Sequence, residues 1–111
     1  MNSTSRVFVS GGTGYIGTRL IKLLLDRSHS VTGLVRRRGK LPSGATELQG
    51  NALDASTFTV GDDTFVHLVG VSHPAPWKQS QFRAVDLASV RASVAAAVRA
   101  GVKNFVYVSV A

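Results

Sequence analysis

Gly11, Gly14 and Gly17 recur every third residue in the run Val7-Phe8-Val9-Ser10-Gly11-Gly12-Thr13-Gly14-Tyr15-Ile16-Gly17. The three apolar residues before them read as a buried strand, and a helical pattern starts near Tyr15. Glycines in that setting can hold a pyrophosphate. The first permits a tight turn, the second lets backbone approach the phosphates, and the third lets helix and strand pack closely. The helix N-terminus adds N–H donors and a partial positive charge. A ligand-free strand-to-helix turn would need similar residues, so the run alone leaves both readings open. A P-loop is excluded, because Thr18-Arg19 stands where the Lys-Ser/Thr pair is required.

A second group with chemical potential is Arg36-Arg37-Arg38, with Lys40 close behind. It follows the second predicted strand, where a dinucleotide site for NAD places a carboxylate on the ribose 2′-hydroxyl. Guanidinium groups there would instead grip a 2′-phosphate through charge-assisted hydrogen bonds. Arg36 and Arg37 are therefore the candidate contacts, and NADP(H) is favoured over NAD. A basic loop facing solvent would look the same in sequence.

The elements that must position these residues alternate strand and helix, which argues for a parallel α/β sheet. Strands are expected at residues 6–10, 30–35, 45–49, 64–69 and 104–110, with helices at 15–27 and 79–100. Ile16, Leu20, Leu23 and Leu24 form the expected packed face of the first helix. Phe82, Val85, Val90, Val94 and Val98 form that of the second, whose alanines allow close approach to the sheet. Gly101 reads as a helix C-terminal glycine, and the segment 36–44 as a polar loop broken by Gly39, Pro42 and Gly44. Right-handed crossovers then give a doubly wound Rossmann-type sheet, strand order 3-2-1-4-5. Its crevice falls beside the ends of strands one and four, where the glycine run lies.

With 111 residues, the chain reads as one domain, 1–111, able to bury a core. It is 44% hydrophobic and 17% charged, the balance of a folded protein. The absence of cysteine removes disulfides and thiol chemistry and accords with a reducing cytoplasm. No apolar run reaches membrane-spanning length, and the first six residues lack the core of a signal peptide. Thirteen basic against six acidic residues give a net charge of +7. Yet Arg83, Arg91 and Arg99 recur along one helix at a spacing typical of a solvated face, and no nucleic-acid-binding signature accompanies them. Neither nucleic acid nor membrane is an expected partner.

The ordered blocks Gly11-Gly12-Thr13-Gly14-Tyr15-Ile16-Gly17, Gly50-Asn51-Ala52-Leu53-Asp54, His67-Leu68-Val69-Gly70, and Val85-Asp86-Leu87 through Val108-Ser109 span nearly the whole chain. In these blocks it resembles the short-chain dehydrogenase/reductase superfamily, in its extended and atypical branches that include NAD-dependent epimerases and dehydratases. The resemblance implies cofactor contacts from Gly11, Thr13, Gly14, Tyr15, Ile16 and Gly17. It also implies adenine contacts from Asn51 and Ala52, and ribose and pyrophosphate contacts from Leu68, Val69 and Gly70. As a strand-three turn and a buried strand end, those last two groups would serve structure even without a cofactor.

The catalytic pattern of that family departs here. It uses a Tyr-x-x-x-Lys pair, in which Lys lowers the Tyr pKa for proton transfer while the nicotinamide handles hydride. Tyr15 is followed by Arg19 and Tyr107 by Ala111, Val110 falls on the family's Ser position, and Asp86 stands where Asn is usual. The expectation is a cofactor-binding portion, truncated after strand five and without reductase activity by itself. A non-catalytic NADP(H)-binding redox sensor or assembly factor is the alternative, and the reaction's substrate is not indicated. An uncovered apolar fifth strand predicts self-association.

The remaining candidates are structural in expectation. His29, His67 and His73 match no metal spacing, and His67 reads as a hydrogen-bonded core histidine. Residues 73–77, His-Pro-Ala-Pro-Trp, form either a pocket wall or a surface loop. Pro74 rules out a nucleophile elbow. Asp62-Asp63 is expected in a solvated turn, and Asp54 at the cap of a short helix.

Overall fold

The computed structural model describes residues 4–68 and 79–108, with the side chains of its second helix described from Leu87 onward. Its order is β1 (Arg6–Ser10), α1 (Tyr15–Asp26), β2 (Ser30–Val35), β3 (Thr46–Gln49), a 3-10 turn (Ala55–Thr57), β4 (Thr64–His67), α2 (Gln79–Ala100) and β5 (Asn104–Tyr107). All strand pairings are parallel and the sheet order is β3-β2-β1-β4-β5, as the alternating pattern predicts. β4 and β5 are shorter than their apolar runs. Val69, Ser109 and Val110, placed in them by sequence, lie outside the described residues.

Alternation along β1 sorts the core into two layers. Val7 and Val9 face Ile21 of α1, with Val31 and Val66 beside them. Phe8 faces the other way, into a cluster with Phe58, Phe65, Ala96 and Ala97. There Phe8 stacks on Phe58 at 5.9 Å and lies 5.0 Å from Phe65. Phe8 and Phe65 are fully buried, and each such ring contributes about 1.5–3 kcal/mol by burial.

The expected face of α1 is met in part: Leu20 and Leu24 pack against the core beside the buried Gly17 and Ile21, whereas Ile16 and Leu23 are exposed. In α2 the packed face is Ser89, Ala92, Ser93, Ala96 and Ala97, while Val94 and Val98 face outward; Phe82 and Val85 fall outside the described side chains. The reason is volume. Phenylalanine rings already fill that side of the sheet, so the helix approaches with its smallest residues. His67 is the expected core histidine, fully buried with Nδ1 2.8 Å from Ser93 Oγ.

The connections are tied by polar groups. α2 ends at Gly101, φ +68°, with the Val102 N–H donating to the Ala97 carbonyl. Arg99 is exposed, as its spacing predicts, and its guanidinium also donates to the carbonyls of Ala55 (2.8 Å) and Phe58 (2.9 Å). The Asp62-Asp63 turn departs from expectation, both residues being half-buried. Asp63 accepts the Arg6 N–H through its carboxylate and the Lys103 N–H through its carbonyl, joining the starts of β1 and β5. Asp54 caps the 3-10 turn as expected, accepting from the Ser56 N–H at 3.0 Å.

Candidate dinucleotide-binding site

The glycine run lies between β1 and α1, at the carboxyl ends of the central strands. Gly11 has φ +88°, a conformation that glycine adopts without steric cost. At Gly17 an added Cβ would stand 2.5 Å from the Gly11 carbonyl oxygen and 2.6 Å from the Gly12 Cα, so helix and turn meet here backbone to backbone. At Gly14 the corresponding position is open, its nearest neighbour being the Gly11 oxygen at 3.7 Å. Gly14 is the N-cap of α1, and no side chain caps the helix. An open glycine before uncapped N–H groups is what a pyrophosphate requires. The cradle fits the group.

From this cradle a cleft of about 670 Å³ runs across the ends of β1 and β2, lined by Gly11, Thr13, Leu34, Val35, Arg36, Arg37, Lys40, Asn51, Ala52 and Leu53. Sequence-predicted residues from three separate segments thus line one cleft, and among the described residues three cations but no carboxylate line it. A smaller groove of about 530 Å³ continues past Thr13 and Gly14 along α1, where the Arg19 guanidinium lies 4.5 Å from the Tyr15 ring centroid. Tyr15 and Ile16 are exposed at the helix start. Leu68 is buried, its N–H donating to the Ser10 carbonyl at 2.7 Å. Val69 and Gly70 lie outside the described residues, as does the segment 73–77.

Each cleft wall is held by its own hydrogen bonds. Asn51 Oδ1 accepts the Leu53 N–H, and the Asn51 N–H donates to Thr57 Oγ1 at 2.8 Å, folding the Asn51–Ala52 segment back on itself. The basic loop is held by Glu47 of β3, which sequence reasoning passed over. Its carboxylate accepts from the N–H groups of Gly39 (2.8 Å), Lys40 (3.0 Å) and Leu41 (3.3 Å). The Gly39 N–H above all, aided by those of Leu41 and Lys40 and by the Arg38 charge, holds the Glu47 carboxyl below its ordinary range against opposing desolvation. Nothing local in sequence marks this contact, since the loop and β3 meet only in the folded chain. Among the described residues no group of His, Cys, Asp and Glu is arranged to hold a metal, and no helix is long and apolar enough to cross a membrane.

Parallel strands ordered 3-2-1-4-5, with a glycine cradle where the first strand meets its helix, define a Rossmann-type dinucleotide-binding fold of the short-chain dehydrogenase/reductase kind. The chain belongs to the NAD(P)H-binding family, which matches residues 11–111. It is 35% identical over 116 residues to a 3 beta-hydroxysteroid dehydrogenase/Delta 5-->4-isomerase of Mycobacterium tuberculosis, covering 94% of this chain and 31% of that protein. It is 29% identical over 109 residues to the photosystem II assembly factor Ycf39 of Synechocystis, covering 95% and 33% respectively. The chain therefore spans about a third of the length of these relatives. The Bordetella bronchiseptica enzyme WbmG, solved in complex with NAD, shares the fold with a TM-score of 0.75 at 23% identity, over 96% of this chain and 37% of that one. A UDP-galactose 4-epimerase does so with a TM-score of 0.76 at 21% identity, over 92% and 37%.

Proposed function

We propose that residues 1–111 form one NADP(H)-binding unit of a short-chain dehydrogenase/reductase-type oxidoreductase or epimerase/dehydratase relative. The observation that carries the choice of NADP(H) is the cleft beyond β2, which Arg36, Arg37 and Lys40 line together with Gly11 and Thr13 and, among the described residues, no carboxylate. In this reading the glycine cradle takes the pyrophosphate and the arginines take the 2′-phosphate. Asn51 and Ala52 border the adenine. A bound nicotinamide would supply or accept hydride.

Fluorescence titration with NADPH and NADH tests the assignment. NADPH is expected to bind at least about tenfold more tightly, the scale of one lost charge-assisted contact, and Arg36→Asp to remove the preference. Equal affinity for the two, or an unchanged preference in Arg36→Asp, overturns it.

Similarity to a dehydrogenase favours hydride transfer, whereas similarity to Ycf39, named as an assembly factor, favours a non-catalytic role. Turnover of NADPH with a panel of small carbonyl compounds separates the two. Residues 1–111 contain no Tyr-x-x-x-Lys pair, so by themselves they are expected to bind cofactor without turning it over.

A further inference from the structure

The basic loop carries its cations on exposed side chains, yet its backbone is tied down by two residues outside it. Glu47 gathers the N–H groups of Gly39, Lys40 and Leu41. Two positions along the same strand, Gln49 Nε2 donates to the Arg36 carbonyl at 3.0 Å. Successive side chains of a strand alternate in direction, so residues 47 and 49 reach the loop from one side of β3. Leu41 then returns to the core, its side chain occupying the space that a Cβ at Gly33 would need and lying 3.3 Å from the Cβ position of Gly12. The same leucine thus touches β2 and the glycine turn, linking the loop to the phosphate cradle.

We propose that Glu47, assisted by Gln49, is a positioning residue for cofactor choice: by fixing the backbone of residues 36–41 from β3 it holds Arg36, Arg37 and Lys40 against the cleft, where they read a 2′-phosphate. The inference rests on the NADP(H) reading above and adds to it the origin of the loop's geometry. Long basic side chains on an unanchored loop lose rotamer and backbone freedom when they bind, which weakens the contact. An anchored loop has lost most of that backbone freedom before the ligand arrives.

Electrostatics alone predicts the opposite outcome, and this makes the proposal testable. Glu47 is an anion near a site for a phosphate, so removing its charge would tighten NADPH binding if long-range charge were what mattered. If Glu47 acts by anchoring, Glu47→Gln weakens NADPH binding, because a carboxamide cannot accept from three converging N–H groups. The measurement is titration of the intact protein with NADPH and with NADH, for the parent, Glu47→Gln, Gln49→Ala and Arg36→Ala.

The expected result is a roughly fivefold to tenfold weaker NADPH affinity in Glu47→Gln with NADH affinity unchanged, the scale of one or two charged contacts. Gln49→Ala is expected to lose less, in the same direction. Unchanged or tighter NADPH binding in Glu47→Gln overturns the inference, as does an equal loss for both nucleotides, which marks a merely structural role. If Arg36→Ala erases the preference while Glu47→Gln and Gln49→Ala preserve it, the anchoring role fails and the NADP(H) reading stands. If Arg36→Ala also leaves it intact, both fall. Should Glu47→Gln not fold, Gln49→Ala decides, since it removes a single exposed hydrogen bond.

Discussion

The space that a Cβ of residue 17 would occupy is closed by the Gly11 carbonyl oxygen, 2.5 Å away. This contact between the third and first glycines lets α1 start directly on the β1 turn. Gly17→Ala drives a methyl group into two stretches of backbone, neither of which is a flexible side chain. Overpacking of this kind costs about 1–3 kcal/mol, and the expected result is a lower Tm together with loss of nucleotide binding. Gly14→Ala is the control, since its Cβ meets only an ordinary 3.7 Å contact. It is expected to stay within about 1 kcal/mol of the parent while binding NADPH at least about tenfold more weakly, if the open side of Gly14 is where the proposed cradle takes the phosphates. Thermal unfolding and fluorescence titration of the pair would separate packing from ligand approach.

The strand order and the glycine cradle were legible in sequence because both rest on local signals: short apolar runs, glycine spacing and the Arg36-Arg37-Arg38 cluster. The packed face of α2 was not. Val94 and Val98 are more hydrophobic than Ala92, Ala96 and Ser93, yet they face outward, because Phe8, Phe58 and Phe65 leave the helix room only for small residues. Periodicity reports that a helix has an apolar side, but not how much volume the opposing layer has already filled. Glu47 and Arg99 were missed for a related reason. Each bonds to backbone in a segment distant in sequence, and a backbone partner leaves no residue type to recognise.

Ser28 ends α1 with φ +66°, the one non-glycine residue in that region among those described. The Ser28 and His29 N–H groups bond back to Leu25 and Leu24, closing the last turn. A side chain in this conformation costs about 1 kcal/mol, whereas glycine adopts it freely. Ser28→Gly is therefore expected to stabilise the protein by no more than about 0.5 kcal/mol once glycine's larger unfolded-state entropy is subtracted. NADPH affinity should not change, and urea unfolding is the check. A lower midpoint would show that this turn is not strained.

Asp63 links acid stability to the sheet. The Arg6 N–H, and then the charges of Arg6 and Lys103, hold its carboxyl below the ordinary 3.8, outweighing desolvation. A carboxyl whose folded pKa is depressed binds its proton more readily in the unfolded chain. Its stabilisation is thus complete above pH 3.8 and is lost as pH falls through the lower folded value. Asp63→Asn should lower the Tm at neutral pH and flatten its fall in that acid window. Thermal melts from pH 7 to 2.5 would show this, and parallel curves for parent and variant would count against the role.

Arg99 braces the far wall of the cleft. One guanidinium nitrogen donates to the carbonyls of Ala55, the first residue of the 3-10 turn that follows Asn51 and Ala52, and of Phe58, just after it. Without it, two carbonyls lose a charged donor and the turn keeps the bonds among Asn51, Asp54, Ser56 and Thr57. The guanidinium is partly in solvent, so Arg99→Ala is expected to cost only about 1 kcal/mol. Arg99→Lys should recover less than half of this, because an ammonium cannot reproduce the planar fork. If the Asn51–Ala52 segment borders the adenine, Arg99→Ala should also weaken NADPH and NADH by the same small factor, about twofold to fivefold. That parallel loss contrasts with the NADPH-selective effect expected of the Arg36 side, and a nucleotide-selective change in Arg99→Ala would refute the division of the cleft into an adenine wall and a 2′-phosphate wall.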